Sequence, residues 1–116
     1  MSEHEAFFCD LSTMTPAEKD RLLRNAEELF AGADAVRDLE DGYSLGFENV
    51  SAEKLMQMAD FVAFDRLCCA FLRHSIIADQ HPGMTWLEFT GAPGAKAAIA
   101  SEFLSLLPAG LTADIA

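Results

Sequence analysis

Apolar side chains recur along this chain at two spacings, and the switches between them outline a fold. Leu22, Ala26, Leu29 and Ala33 repeat at helical spacing, with Leu23 and Phe30 widening the stripe. Thr15-Pro16-Ala17-Glu18 starts that helix: Thr15 is the cap, Pro16 takes the first helical position, and Glu18 can close a capping box. Gly32 offers a left-handed stop, so the pattern predicts a helix over about 15–32. Asp41-Gly42 then separates Val36 and Leu39 from the alternating Tyr43, Leu45 and Phe47, which reads as a hairpin with strands over about 35–39 and 43–48. A first helix running on to Leu39 is the competing reading. Ser51 caps a second helix. Leu55, Met58, Val62 and Cys69 stripe one side of it, and Phe61, Phe64, Cys68 and Leu72 the other. A helix apolar over so much of its circumference is central, and it is expected to end near Leu72.

Period-two alternation returns at about 73–79 and 84–90, with His74, Ile76 and Ala78 on one face and Thr85, Leu87 and Phe89 beside them. Gln80-His81-Pro82-Gly83 turns between these strands. After Gly91-Ala92-Pro93-Gly94, a third helix over about 95–107 uses Ala98, Ile99, Phe103, Leu106 and Leu107, and Pro108 and Gly110 end it. The order helix, hairpin, helix, hairpin, helix predicts a two-layer α+β fold with a four-stranded antiparallel sheet. It forms a single domain over residues 1–116, with a leader at 1–14 packed on it through Phe7, Phe8, Cys9, Leu11 and Met14. Ile77, Met84 and Trp86 then point away from the helices. An apolar face of that kind predicts a homodimer.

Composition narrows the partners. The chain carries 19 acidic against 8 basic side chains, a formal net charge of −11. That field repels phosphates and anionic lipid, which argues against nucleic acid and membrane partners. No apolar run reaches the length of a membrane span, and the acidic start Met-Ser-Glu-His-Glu is unlike the basic start of a signal peptide. The expectation is a cytoplasmic protein, in which cysteines are free thiols or ligands rather than a disulfide framework.

Chemistry concentrates in three cysteines: Cys9, and the adjacent Cys68 and Cys69. Helical neighbours differ by about 100° around the axis, so the adjacent pair is expected to splay and to resist a mutual disulfide. Without a Cys-x-x-Cys motif, thioredoxin-type exchange has no support, and the spacings are poor for structural zinc. Soft ions of the Hg(II), As(III) or Cu(I) type suit clustered thiolates better, with Cys9 as third ligand and His74 as a spare nitrogen donor. Arg66 would favour a thiolate at Cys69, while Asp65 and the carbonyl end of the helix would oppose it. Buried cysteines also pack as small hydrophobes, and the inward position of His74 favours a satisfied core histidine over a ligand. His81 reads as a solvated turn residue, His4 lies in the leader, and the stretch from Gly91 to Lys96 lacks the ending of a phosphate loop. No triad, carboxylate pair or dinucleotide motif stands out. The pattern favours a binding protein over an enzyme.

Four stretches resemble a small bacterial family of uncharacterised proteins. They are Cys9-Asp10-Leu11, Leu39-Glu40-Asp41-Gly42-Tyr43, Asp65-Arg66-Leu67-Cys68-Cys69-Ala70-Phe71-Leu72 and Trp86-Leu87-Glu88-Phe89-Thr90-Gly91. Family members look like Glu-Arg-x-Cys-Cys-Pro-Phe-Leu in the third, where this chain has Asp65 and Ala70, and they usually carry an aromatic residue at the position of His74. The resemblance implies that Cys9, Cys68 and Cys69 form one set, with Asp65 and Arg66 in the site or bracing it. Such genes sometimes lie among metal-resistance genes, which implies a soft-metal role. The sequence therefore predicts a soft-metal or metalloid site at Cys9, Cys68, Cys69 and His74, supported by Asp65 and Arg66. An interaction module with core cysteines and a thiol-redox sensor are the alternatives.

Overall fold

The first helix, α1 (Pro16–Ala31), begins with the reciprocal cap that its sequence encodes. Thr15 Oγ1 accepts from the Glu18 backbone N–H at 3.1 Å, and Glu18 Oε1 accepts from the Thr15 N–H at 2.9 Å. Two of the donors orphaned at a helix start are satisfied this way. In the computed structural model, which describes residues 11–112, α1 is followed by β1 (Ala35–Leu39), β2 (Gly42–Glu48), α2 (Ala52–Cys68), β3 (Leu72–Ala78), β4 (Met84–Gly91) and α3 (Ala95–Phe103). A 3-10 turn (Leu104–Leu106) and a short α4 (Ala109–Thr112) complete the described chain. The class is α+β, with four α-helices and one four-stranded antiparallel sheet.

Differences from the sequence reading fall at element ends. Gly32 stops α1 with φ −94°, outside the left-handed region, and its N–H reaches the carbonyls of Leu29 and Phe30. Helix α2 ends at Cys68, not near Leu72, because Leu72 is drawn into a strand. The expected tail after Pro108 coils once more as α4.

Strands lie in the order β1-β2-β4-β3, so β2 and β4 are central and β3 is an edge. Register aligns the inward rows: Tyr43 opposite Phe89, Leu45 opposite Leu87, and Phe89 opposite His74. Glycine at position 42 permits the close approach of β2 to β4, since a Cβ there would lie 1.8 Å from the Phe89 carbonyl oxygen. The inward rows share one core with Leu22, Leu29, Met58, Ile99 and the cysteine pair. At its centre Phe30, Phe61, Phe89 and Phe103 meet with ring centroids 5.0–6.4 Å apart, mostly edge to face. Polar contacts then fix α1 against α2: Arg21 donates twice to the Asp60 carboxylate, and Asn25 donates to the same group.

The opposite sheet face is less open than its sequence suggests. Ile77 is exposed, but Trp86 retains only 8% of its accessible surface. Its ring lies over Gly46, and the Arg37 guanidinium stacks on it 3.7 Å from the ring centroid. Leu11 and Met14, from the expected leader, pack on the core; Phe7, Phe8 and Cys9 lie outside the described residues. Among the described residues no helix is long and apolar enough to cross a membrane.

Candidate functional site

The site lies where α2 gives way to β3. Asp65, Cys68 and Cys69 follow one another at helical offsets of three and four, which puts the carboxylate beneath both cysteines. Cys69 is the first residue past the helix, with φ −108° and ψ 61°. Its N–H still donates to the Asp65 carbonyl at 2.8 Å, and Leu72 N–H donates to the Cys69 carbonyl at 3.0 Å as the chain turns into β3. This departure from helical torsions overturns the expected splay: the two sulfurs approach to 3.6 Å. A bonded pair would need about 2.05 Å, so they are in contact and not joined to each other.

Asp65 sits under them. Its Oδ1 lies 3.9 Å from Cys68 Sγ and 3.7 Å from Cys69 Sγ, and the Cys68 thiol also reaches the Asp65 carbonyl at 3.4 Å. All three residues are buried, Cys69 to 1% and Asp65 to 3% of their full exposure. A carboxylate this dry requires a partner. His74, inward-facing on β3, supplies it: Nε2 lies 2.7 Å from Asp65 Oδ2, and both side chains are at most 4% exposed. With the carboxylate ionised, His74 must be the donor. The imidazole is held in turn edge-on to Phe89, at 5.4 Å between centroids.

The chain matches no protein-family model, no curated protein and no solved structure. Geometry and chemistry therefore carry the functional reading.

The two cysteines differ in state. Cys68 is a free thiol, and burial together with the nearby Asp65 charge pushes its pKa from 9.0 up to about 11. At neutral pH it is a protonated thiol, not an activated nucleophile. Cys69 is disulfide-bonded, against the expectation that every cysteine is a free thiol or a ligand.

The structure thus brings Cys68, Cys69, Asp65 and His74 together. It also redistributes their roles. His74, offered as a spare nitrogen donor, is committed to Asp65, while Asp65, expected in the site or bracing it, turns a carboxylate oxygen toward both sulfurs. The Asp-x-x-Cys-Cys spacing carried that signal, since it stacks the carboxylate on both cysteine positions. Arg66 is exposed and joins none of the cluster's hydrogen bonds. Cys9 and His4 lie outside the described residues, and His81 is exposed in the β3–β4 turn. Lys96, the cation of the Gly91–Lys96 segment, is engaged by Asp38 and the Leu39 carbonyl and lies against the Tyr43 ring.

Proposed function

We propose that the reduced protein binds a soft metal or metalloid ion through Cys68 and Cys69, with Cys9 as third sulfur. One observation carries this reading: Cys68 Sγ, Cys69 Sγ and an Asp65 oxygen all lie within 4.8 Å of one another in a buried cluster. Thiolates are the preferred donors of such ions, and a dry site strengthens the attraction between cation and anionic ligands. An ion would also replace the proton that Cys68 holds so tightly, since the thiolate is the binding form. The proposed setting is the cytoplasm, where thiols are kept reduced. Opening the Cys69 disulfide is the required first step. A phosphine does this in vitro, taking oxygen from water while each sulfur gains a hydrogen.

The test is thiol alkylation of the reduced protein with and without stoichiometric Hg(II) or arsenite. Protection of Cys68 and Cys69, and sharp weakening by Cys9→Ser, are expected. Unchanged alkylation rates in the presence of either ion would defeat the reading. Thiols that react only on unfolding, whatever ion is present, would point to core cysteines.

A thiol-redox role is the second reading, favoured by the free Cys68 thiol 3.6 Å from the sulfur of a disulfide-bonded Cys69. The raised Cys68 pKa weighs against it, because exchange proceeds through the thiolate.

A further inference from the structure

We propose that the free edge of β3 is the surface on which a second copy of this chain docks, joining two four-stranded sheets into one. Both outer strands, β1 and β3, have one side without a neighbouring strand, and an unguarded edge invites strand addition. β1 is guarded. It has five residues, carries Arg37 and Asp38, and has α4 beside it, while Lys96 occupies the Leu39 carbonyl at its end. β3 has seven residues in unbroken register with β4, and neither proline nor a bulge interrupts it.

The direction of each backbone group on β3 follows from its pairing. Asp79 N–H donates to the Met84 carbonyl, so alternate residues back along the strand, Ile77, Ser75 and Arg73, exchange hydrogen bonds with β4. His74, Ile76 and Ala78 therefore turn their N–H and C=O groups away from the sheet. Leu72 obeys the same alternation, since its N–H goes to the Cys69 carbonyl. His74 shows the opening directly: its side chain is 3% exposed, yet the residue as a whole is not buried, so its backbone meets solvent. Among the described residues, the outward groups of His74, Ile76 and Ala78 find no backbone partner.

One antiparallel register with a second copy uses every free group. It sets Ile76 opposite Ile76 of the other copy and His74 opposite Ala78 on either side, all as hydrogen-bonded pairs. The neighbouring registers instead set Ala78 against Leu72, whose N–H is already committed, or His74 against Gln80, which lies beyond the strand. The favoured register also sets Arg73 against Asp79 twice, as non-hydrogen-bonded pairs in which opposed side chains come closest. Both residues are exposed, and neither has an ion-pair partner among the described residues. The exposed Ile77 then lies opposite Ser75 and diagonal to Ile77 of the other copy, which covers part of its apolar surface. Hydrogen bonding, charge and apolar contact agree on one self-complementary pairing, as a two-fold contact requires. The subunit contact expected at the Ile77, Met84 and Trp86 face thus moves to the sheet edge, because Arg37 of the same chain already covers Trp86.

The experiment is sedimentation equilibrium on the full-length chain, as wild type and as two surface charge reversals, Arg73→Glu and Asp79→Lys. The wild type is expected to dimerise. Either reversal alone sets like charges against each other at both ends of the contact and is expected to weaken dimerisation by about tenfold or more. Mixed in equal amounts, the two variants regain both opposite-charge pairs, so a heterodimer of wild-type affinity is expected. Amide exchange at His74, Ile76 and Ala78 is expected to slow as the wild-type concentration rises. A chain that stays monomeric up to about 1 mM overturns the proposal. So does a dimer that neither reversal weakens, or one that the mixture fails to restore.

Discussion

Raising the pH should destabilise this protein through a single thiol. Folding lifts the Cys68 pKa from 9.0 to about 11, first through burial and then through the neighbouring Asp65 charge. The folded chain therefore holds the proton more tightly than the unfolded chain. Below the unfolded pKa both states are protonated and the stabilisation is complete. As pH rises from 9 toward about 11, the unfolded state releases the proton while the folded state keeps it, so stability falls until the folded pKa is passed. Two units at about 1.4 kcal/mol each give a loss on the order of 3 kcal/mol. That is a large share of the usual margin of about 5–15 kcal/mol. Other groups titrate over this range, so the quantity to follow is the difference between wild type and Cys68→Ala in paired urea titrations. Removing the thiol costs a pH-independent amount for lost packing, and the wild-type advantage should then shrink by about 2 kcal/mol between roughly pH 8 and pH 11, with the rest of the loss falling above the folded pKa. Parallel curves, or a Cys68 thiolate already forming near pH 9 in the folded protein, would refute the argument.

Two further outcomes are expected. His74→Phe would strand the buried Asp65 charge and cost about 3–5 kcal/mol in urea or thermal unfolding, with Asp65→Leu added behind it recovering much of the loss. A loss below about 1 kcal/mol for the single change would mean that the pair contributes little. Gly46→Ala would push a methyl to within 2.6–2.8 Å of Met84 and the Trp86 ring, costing about 1–3 kcal/mol and red-shifting the emission of this lone tryptophan as Arg37 loses its stacking surface. Unshifted emission at wild-type stability would show that the ring moves aside without cost.

The parts of the fold that were legible in the sequence are those governed by local rules. Thr15 and Glu18 announced their own cap, and alternation at Tyr43, Leu45 and Phe47 and at Thr85, Leu87 and Phe89 assigned the inward rows of both central strands. The end of α2 was not legible. Phe71 and Leu72 continue its apolar stripe, so periodicity alone carries the helix past the residue where the chain turns. That error propagated into the site, because the splay of Cys68 and Cys69 was inferred from a helical angle that Cys69 does not obey. Alternation placed His74 inward correctly, but which atom its imidazole meets depends on how α2 crosses the sheet, and no local pattern encodes it. Trp86 failed in the opposite sense. It lies on the expected face, yet a cross-strand arginine covers it.

The frame of the site also bears on how quickly it can assemble. Asp65 and His74 are nine positions apart, so their hydrogen bond closes a short loop across the turn at Ala70 and Phe71. Closure entropy grows with loop length, and a loop of this size closes on the scale of tens of nanoseconds. Pairing of β2 with β4, by contrast, must bring together segments such as Tyr43 and Phe89 from much farther along the chain. The turn that gathers the cysteines is thus a local structure. It can be sampled early in folding, before the slower long-range pairing of the sheet seals it from water.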